Sequence, residues 1–317
     1  MAVILATSRS FGGGDLDLAG RVFAAGHELL RGPSHHDLTD LASLLPRVDA
    51  WIAGTGPITA AHFDLSLGLR VIARYGVGVE AVDVAEATRR GIVVTNTPGA
   101  NADAVADHAV GLMLAALRHV ADGDRRVRAG DWSARRGREL GASTVGVVGF
   151  GRIGRGVARR LSGFGARVLA ADPYLPADDV RAAGAEPADL DALFAAADIV
   201  SLHAPGGQVL LDPRRLGLLP RGAVVVNTAR ADLVDEAAVA MALRAGTLGA
   251  FAADMLAGDT AGQDSPLLAP DLADRVTLTP HLGAQTTQAV DHMGAMSLEC
   301  ALAVLAGNPP PHPVNAV

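Results

Sequence analysis

Hydrophobic positions along this chain follow two rhythms. Short β-branched runs at 2–6, 49–53, 69–73 and 92–95 alternate with Ala-, Leu- and Arg-rich stretches whose apolar residues recur at helical spacing. Alternation of this kind from end to end is the pattern of βαβ units wound around parallel sheets, so the predicted fold class is α/β. With a weaker run near 27–30, the first third supplies five strands, which suits a small flavodoxin-like domain. Pro98–Gly99 then breaks the pattern, and "ANADAVADHAVGLMLAALRHV" (100–120) predicts a long crossing helix that starts at Asn101. Six further runs, at 144–149, 166–172, 197–203, 222–228, 249–254 and 275–281, predict a second doubly wound sheet of the Rossmann type. The stretch from Gln285 to Leu305 is again apolar at helical spacing and is expected to pack back on the first domain. The expected organisation is thus two doubly wound domains. Residues 98–284 form one, inserted in a flavodoxin-like domain of residues 1–97 and 285–317.

A chain of 317 residues, half of them apolar, has enough material for two cores. The opening "MAVILATSRS" has no basic stretch before its apolar run, and the run is too short for a signal helix, so it reads as a first strand and the chain is expected in the cytoplasm. One cysteine, Cys300, excludes an internal disulfide framework. No spacing such as H-E-x-x-H suggests a metal, and His35–His36 is expected as an exposed loop pair. The net charge of −7 argues against a nucleic-acid partner, and the locally basic 125–140 segment reads as a solvated helix and loop. No membrane partner is expected either.

All 27 basic residues are arginine. The absence of lysine excludes a P-loop, a pyridoxal-phosphate Schiff base, the Tyr-x-x-x-Lys pair of short-chain dehydrogenases and the catalytic Lys of 3-hydroxyacid dehydrogenases.

"VGVVGFGRIGRGVARRL" (145–161) sets Gly149, Gly151 and Gly154 in G-x-G-x-x-G order after a strand and at the opening of a helix, the context of a dinucleotide fingerprint. The next strand ends at Asp172, whose carboxylate would accept from the adenosine ribose hydroxyls and repel a 2′-phosphate, which favours NAD over NADP. Arg230 follows the strand 222–228, and its guanidinium fork matches a carboxylate; the bland alternative is a surface pair with Asp232 or Asp235. His281 ends the last strand in "LTPHLG", where it could exchange a proton with a substrate oxygen, and Asp254 and Asp259 are both available as its acidic partner. Gly76 and Gly78, after a strand of the first domain, leave backbone N–H groups available to an anion.

Taken in order, "ARYGVGVEAVD", "NTPGANADAVADHAVGLML", "GDW…GREL", "VGVVGFGRIG", "SLHAP", "GAVVVNTARADLVDEAAVAMAL", "SPLL" and "TLTPHLGAQT" resemble the D-isomer-specific 2-hydroxyacid dehydrogenases, in the branch that includes D-3-phosphoglycerate dehydrogenase. The resemblance implies Arg230 as the binder of substrate carboxylate and His281 as general acid/base. It implies Asp259 as the acidic partner of His281, where the family normally has Glu, a side chain longer by one bond of about 1.5 Å. It puts Asp254 near the nicotinamide carboxamide and Arg152, Ile153, His203 and Thr228 among the NAD contacts. Val77 and Gly78 fall in a loop that holds the carboxylate, and Arg74 matches an arginine that contacts a substrate phosphate.

Two further departures stand out: the loop "SLHAPGGQVLLD" is several residues shorter than usual, and "ARAD" replaces Arg-Gly-Gly. The implied function is an NAD-dependent oxidoreductase acting on a small D-2-hydroxy acid, in a homodimer whose domains close on hinges near Pro98 and Pro280. The alternative is an NAD-sensing module on the same fold with little turnover.

Overall fold

The computed structural model describes residues 1–257 and 264–317, so Asp259 lies outside the described residues. The chain divides into two compact units: Met1–Asn101 with Ala284–Val317, and Ala102–Gly283.

In the first unit, β1 (Val3–Ala6), β2 (Glu28–Arg31), β3 (Ala50–Ala53), β4 (Val71–Arg74) and β5 (Val93–Thr95) pair in parallel in the order β2-β1-β3-β4-β5. This is the flavodoxin-like winding. β3 and β4 are buried at every position, which is why they read as apolar runs, broken only by Arg74 at the end of β4. The helix Thr287–Leu305, capped by Thr286 on the Ala289 amide, packs on β3 and β4. Three hydrogen bonds fix it: Tyr75 donates to the Val290 carbonyl at 2.9 Å, and Asp291 accepts from the Asp15 and Leu16 amides at 3.0 and 3.1 Å.

The second unit carries a parallel sheet of seven strands, β6 (Thr144–Val148), β7 (Arg167–Ala171), β8 (Glu186–Pro187), β9 (Ile199–Leu202), β10 (Ala223–Asn227), β11 (Leu248–Ala253) and β12 (Val276–Leu278). Their order is β12-β11-β10-β9-β6-β7-β8, which reverses between β6 and β9. Six strands answer to the six hydrophobic runs. The seventh, β8, is a two-residue edge piece with no apolar signal of its own.

Successive residues of each strand face opposite cores. Val145, Val147, Val224 and Val226 pack with the helices Ala102–Leu117 and Arg152–Ser162, whereas Val148, Ala223 and Val225 pack with Leu190–Ala196 and Glu236–Arg244. No single helix among the described residues is long and apolar enough to cross a membrane. The basic 125–140 stretch is the end of a helix, Val120–Arg128, followed by an exposed loop, as its composition implied. At the surface, arginines pair through two nitrogens with Glu186, Asp191 and Asp271, from Arg167, Arg214 and Arg244.

One expectation fails in the first unit. His35 is exposed and meets Asp40 at 2.8 Å, but His36 is buried, with Nε2 2.7 Å from Thr7 Oγ1 and its ring 5.0 Å from that of Trp51. The polar local sequence conceals this, because the pocket is built by β1 and β3. Burial, with His62 and Arg74 nearby, lowers the His36 pKa from 6.5 to about 4. The folded state therefore prefers neutral His36, a preference that is fully present above pH 6.5 and lost as the pH falls through about 4. A displacement of about 2.5 pH units is worth about 3 kcal/mol. Urea unfolding followed by Trp51 fluorescence is expected to show the unmutated chain losing about that much more stability than His36→Gln between roughly pH 7 and pH 4. Parallel pH slopes would remove His36 as the source of acid sensitivity.

Candidate active site

The chain turns to opposite sides of the second unit's sheet at β6 and β9, so a crevice opens at the carboxyl ends of these strands. Gly149 leaves β6 with φ +86°, and a Cβ there would lie 2.6 Å from the His203 carbonyl carbon. A Cβ on Gly154 would lie 2.2 Å from the Gly149 oxygen. These two positions are closed by protein. Gly151 is the opposite case: a Cβ there meets nothing within 4 Å, and it stands at the N-cap of the helix Arg152–Ser162 with no side chain capping the first amides. Open space over uncapped helical N–H groups suits a pyrophosphate.

The rest of the crevice supports the same occupant. Asp172, half-buried one residue past β7, accepts from the Phe150 amide at 2.7 Å through Oδ2 and from the Tyr174 amide at 2.9 Å through Oδ1. Each oxygen keeps a lone pair for a ribose hydroxyl. At the ends of the neighbouring strands β9 and β10, His203 Nδ1 and Thr228 Oγ1 are buried without a hydrogen-bond partner. Buried polar atoms of this kind call for a ligand. His203 Nε2 meets Ser201 Oγ at 2.8 Å, and burial lowers its pKa to about 4, which keeps the ring neutral. The glycine cradle, Asp172 and the two orphaned atoms fit NAD, whose pyrophosphate would be held at the turn of Gly151, Arg152, Ile153 and Gly154.

Arg230, Asp254 and His281 follow the adjacent strands β10, β11 and β12 on the same carboxyl edge. The turn that carries Arg230 is strapped by Asn227, whose Nδ2 donates to the Arg230 carbonyl at 2.7 Å and whose Oδ1 accepts from the Ala229 amide at 3.0 Å. Arg230 is half-buried and donates through Nη1 to the Ala229 carbonyl at 2.7 Å. Asp235 caps the helix Glu236–Arg244 on the Ala238 amide, and Asp232 accepts from the Gly207 amide.

His281 is exposed and stands in the left-handed region at φ +55°, an unusual conformation for a residue with a side chain. Asp254 maintains it. The His281 amide donates to the Asp254 carbonyl at 2.9 Å, and the Asp254 carboxylate gathers the rest of the loop. Oδ1 accepts from Leu282 N at 2.8 Å and from Thr279 Oγ1, and Oδ2 accepts from Gly283 N at 2.7 Å. His108, from the helix Ala102–Leu117, adds a contact of its Nε2 with Oδ1 at 3.1 Å and with Thr279 Oγ1 at 2.9 Å. Burial raises the carboxyl's pKa, but these bonds outweigh it and hold Asp254 below the usual range. His108 was not foreseen. It lies between Val105 and Leu112 on the buried stripe of its helix, and a histidine on such a stripe was the available signal.

The residues assigned to substrate by resemblance lie in the first unit. Arg74, the last residue of β4, is buried and donates through Nη1 to the Ala53 and Tyr75 carbonyls at 3.0 and 2.9 Å. Val77 is exposed, and its carbonyl accepts from Asn96 Nδ2 at 2.9 Å, while Gly78 follows it in the same loop. Asp259, the implied partner of His281, lies outside the described residues.

Known proteins bear on this arrangement. Residues 110–283 match the family described as D-isomer specific 2-hydroxyacid dehydrogenase, NAD binding domain. D-3-phosphoglycerate dehydrogenase of Mycobacterium leprae is 40% identical over 285 residues, covering 88% of this chain and 53% of that protein. Glyoxylate reductase of Korarchaeum cryptofilum is 37% identical over 270 residues, covering 82% of this chain and 80% of that protein. A crystal structure of a Thermus thermophilus protein superposes with a TM-score of 0.87 at 34% identity, over 99% of this chain and all of that one. The chain belongs to the D-isomer specific 2-hydroxyacid dehydrogenases, in the branch like D-3-phosphoglycerate dehydrogenase, with NAD as cofactor. It spans about half the length of the phosphoglycerate dehydrogenases that it matches.

The clamp on the His281 loop yields a direct test. Asp254→Asn would turn an N–H toward either the Leu282 or the Gly283 amide, so one donor loses its acceptor. A bond to a charged partner is worth about 1.5–3 kcal/mol. Urea unfolding of the variant is expected to show a loss of that order, and hydrogen exchange should become faster at Leu282 and Gly283. Unchanged exchange at both amides would show that the loop holds its shape without the carboxylate.

Proposed function

We propose that the chain catalyses the NAD-dependent interconversion of a small D-2-hydroxy acid and its 2-oxo acid. The observation that carries this reading is the shared carboxyl edge on which Arg230 and His281 follow β10 and β12, a short way along the sheet from a crevice that fits NAD. When bound, NADH supplies the hydride that reduces the keto carbon. Arg230 holds the substrate carboxylate in a two-point fork and stabilises negative charge that develops on the keto oxygen. His281 donates the proton to that oxygen, with Asp259 as its acidic partner, and in the oxidative direction it takes the proton back. The family resemblance assigns the loop of Val77 and Gly78 to the substrate carboxylate. It assigns Arg74 to a phosphate or phosphonate of the substrate, and on that ground alone the proposed substrates include phosphorylated acids. A homodimer completes the proposal, on the strength of the family alone.

NADH consumption across a panel of 2-oxo acids, including 3-phosphohydroxypyruvate, glyoxylate, hydroxypyruvate and phosphonopyruvate, tests the reading. Turnover of at least one is expected. Tight NADH binding without any turnover would favour a sensing module instead. On the best substrate, Arg230→Lys should lower kcat/KM roughly tenfold or more, because a point charge cannot reproduce the fork. Near-normal kinetics would return Arg230 to a structural role. The unmutated chain should use NADH far better than NADPH and Asp172→Ala should narrow the gap, so equal use of both by the unmutated chain would refute the part given to Asp172.

A further inference from the structure

The shortened loop after β9 and the unusual Asp232 after β10 meet in space. Asp232 Oδ2 accepts from the Gly207 amide at 2.7 Å. Gly206 packs on the same carboxylate, where a Cβ would lie 2.8 Å from Asp232 Oδ1, and Gly207 takes φ +103°, which side-chain-bearing residues rarely adopt. From there the chain runs beside the turn after β10. Leu210 N and Leu211 N both donate to the Leu233 carbonyl, at 2.8 and 2.9 Å, and Asp235 N donates to the Leu211 carbonyl at 3.0 Å. Leu210, Leu211 and Leu233 are buried under this short parallel pairing. At its other end the loop is backed by Gly149, whose close approach to His203 and Ala204 makes it one wall of the dinucleotide crevice. The segment 203–211 therefore spans from the glycine turn to the turn that carries Arg230.

We propose that Asp232 is a positioning residue for the cofactor. By accepting from the Gly207 amide it fixes the short loop as the wall against which the dinucleotide seats, and the same bond ties that wall to the Arg230 turn. A carboxylate is a stronger acceptor for a backbone amide than a neutral group. Ordering the wall beforehand removes that cost from the binding step. The inference rests on the function proposed above only in taking this wall to be the cofactor's.

The test is NADH binding by calorimetry on the full chain, beside hydrogen exchange across 203–211 and a thermal melt, so no substrate has to be known. Asp232→Gly is expected to raise the NADH Kd about tenfold, the worth of one such bond, with faster exchange at Gly207 and little change in the melt. Asp232→Asn, which keeps an acceptor oxygen, should restore both binding and protection. Gly206→Ala, which presses a methyl on the carboxylate, should act in the same direction as the Gly variant and serves if that variant folds poorly. An unchanged Kd in Asp232→Gly overturns the proposal. So does tighter binding in both Asp232 variants, which would mean that the carboxylate merely repels the cofactor's phosphates. An Asn variant as weak as the Gly variant also overturns it, since charge and not the amide bond would then be the cause. If the unmutated chain binds no NADH, the cofactor reading fails, and unchanged exchange at Gly207 in Asp232→Gly would separately dispose of the latch.

Discussion

Taking a carboxylate out of water costs several kcal/mol unless hydrogen bonds replace the lost solvent. Asp254 is 2% exposed, and its replacements come from two places: a helix, through His108, and the loop after β12, through Thr279, Leu282 and Gly283. Neither can move independently without stranding the charge. The left-handed backbone of His281 persists for this reason, since a conformation that costs of order 1–3 kcal/mol survives only where its surroundings over-determine it. The side chain proposed to move a proton is thus aimed by a residue that is buried behind it.

Both sheets obey one rule of position. Their strands are parallel, their interiors are mainly apolar, and the polar groups able to meet a ligand arise where the strands end. Asp172 follows β7, Thr228 and Arg230 follow β10, Asp254 follows β11, and Arg74 is itself the last residue of β4. The apolar strand bodies supply rigidity, and the few residues past them supply chemistry.

Much of this was legible from the chain alone, because strands buried on both faces announce themselves as β-branched runs and the glycine cradle encodes local backbone geometry. What stayed hidden depends on partners far away in sequence. His36 sits in a polar stretch, and nothing local reveals that Thr7 and Trp51 enclose it. His108 lies 146 positions from Asp254, so its place on an apolar stripe was visible but its purpose was not. Likewise the short loop and Asp232 were visible as separate oddities. Their hydrogen bond, across 25 positions, makes them a single device. β8 escaped for a simpler reason: two residues at a sheet edge carry no periodicity.

The choice of arginine for every cation reaches beyond the site. A guanidinium stays charged above pH 12, whereas an ammonium begins to lose its proton near pH 10. The two-point pairs from Arg167, Arg214 and Arg244 therefore keep their positive partner through the whole alkaline range in which lysine pairs fade. The same substitution removes every side-chain amine from the molecule. Acylating reagents, aldehydes and amine-directed cross-linkers consequently find no lysine on its surface, and side-chain labelling has to turn to other groups such as guanidinium and carboxylate, since the thiol of Cys300 is buried.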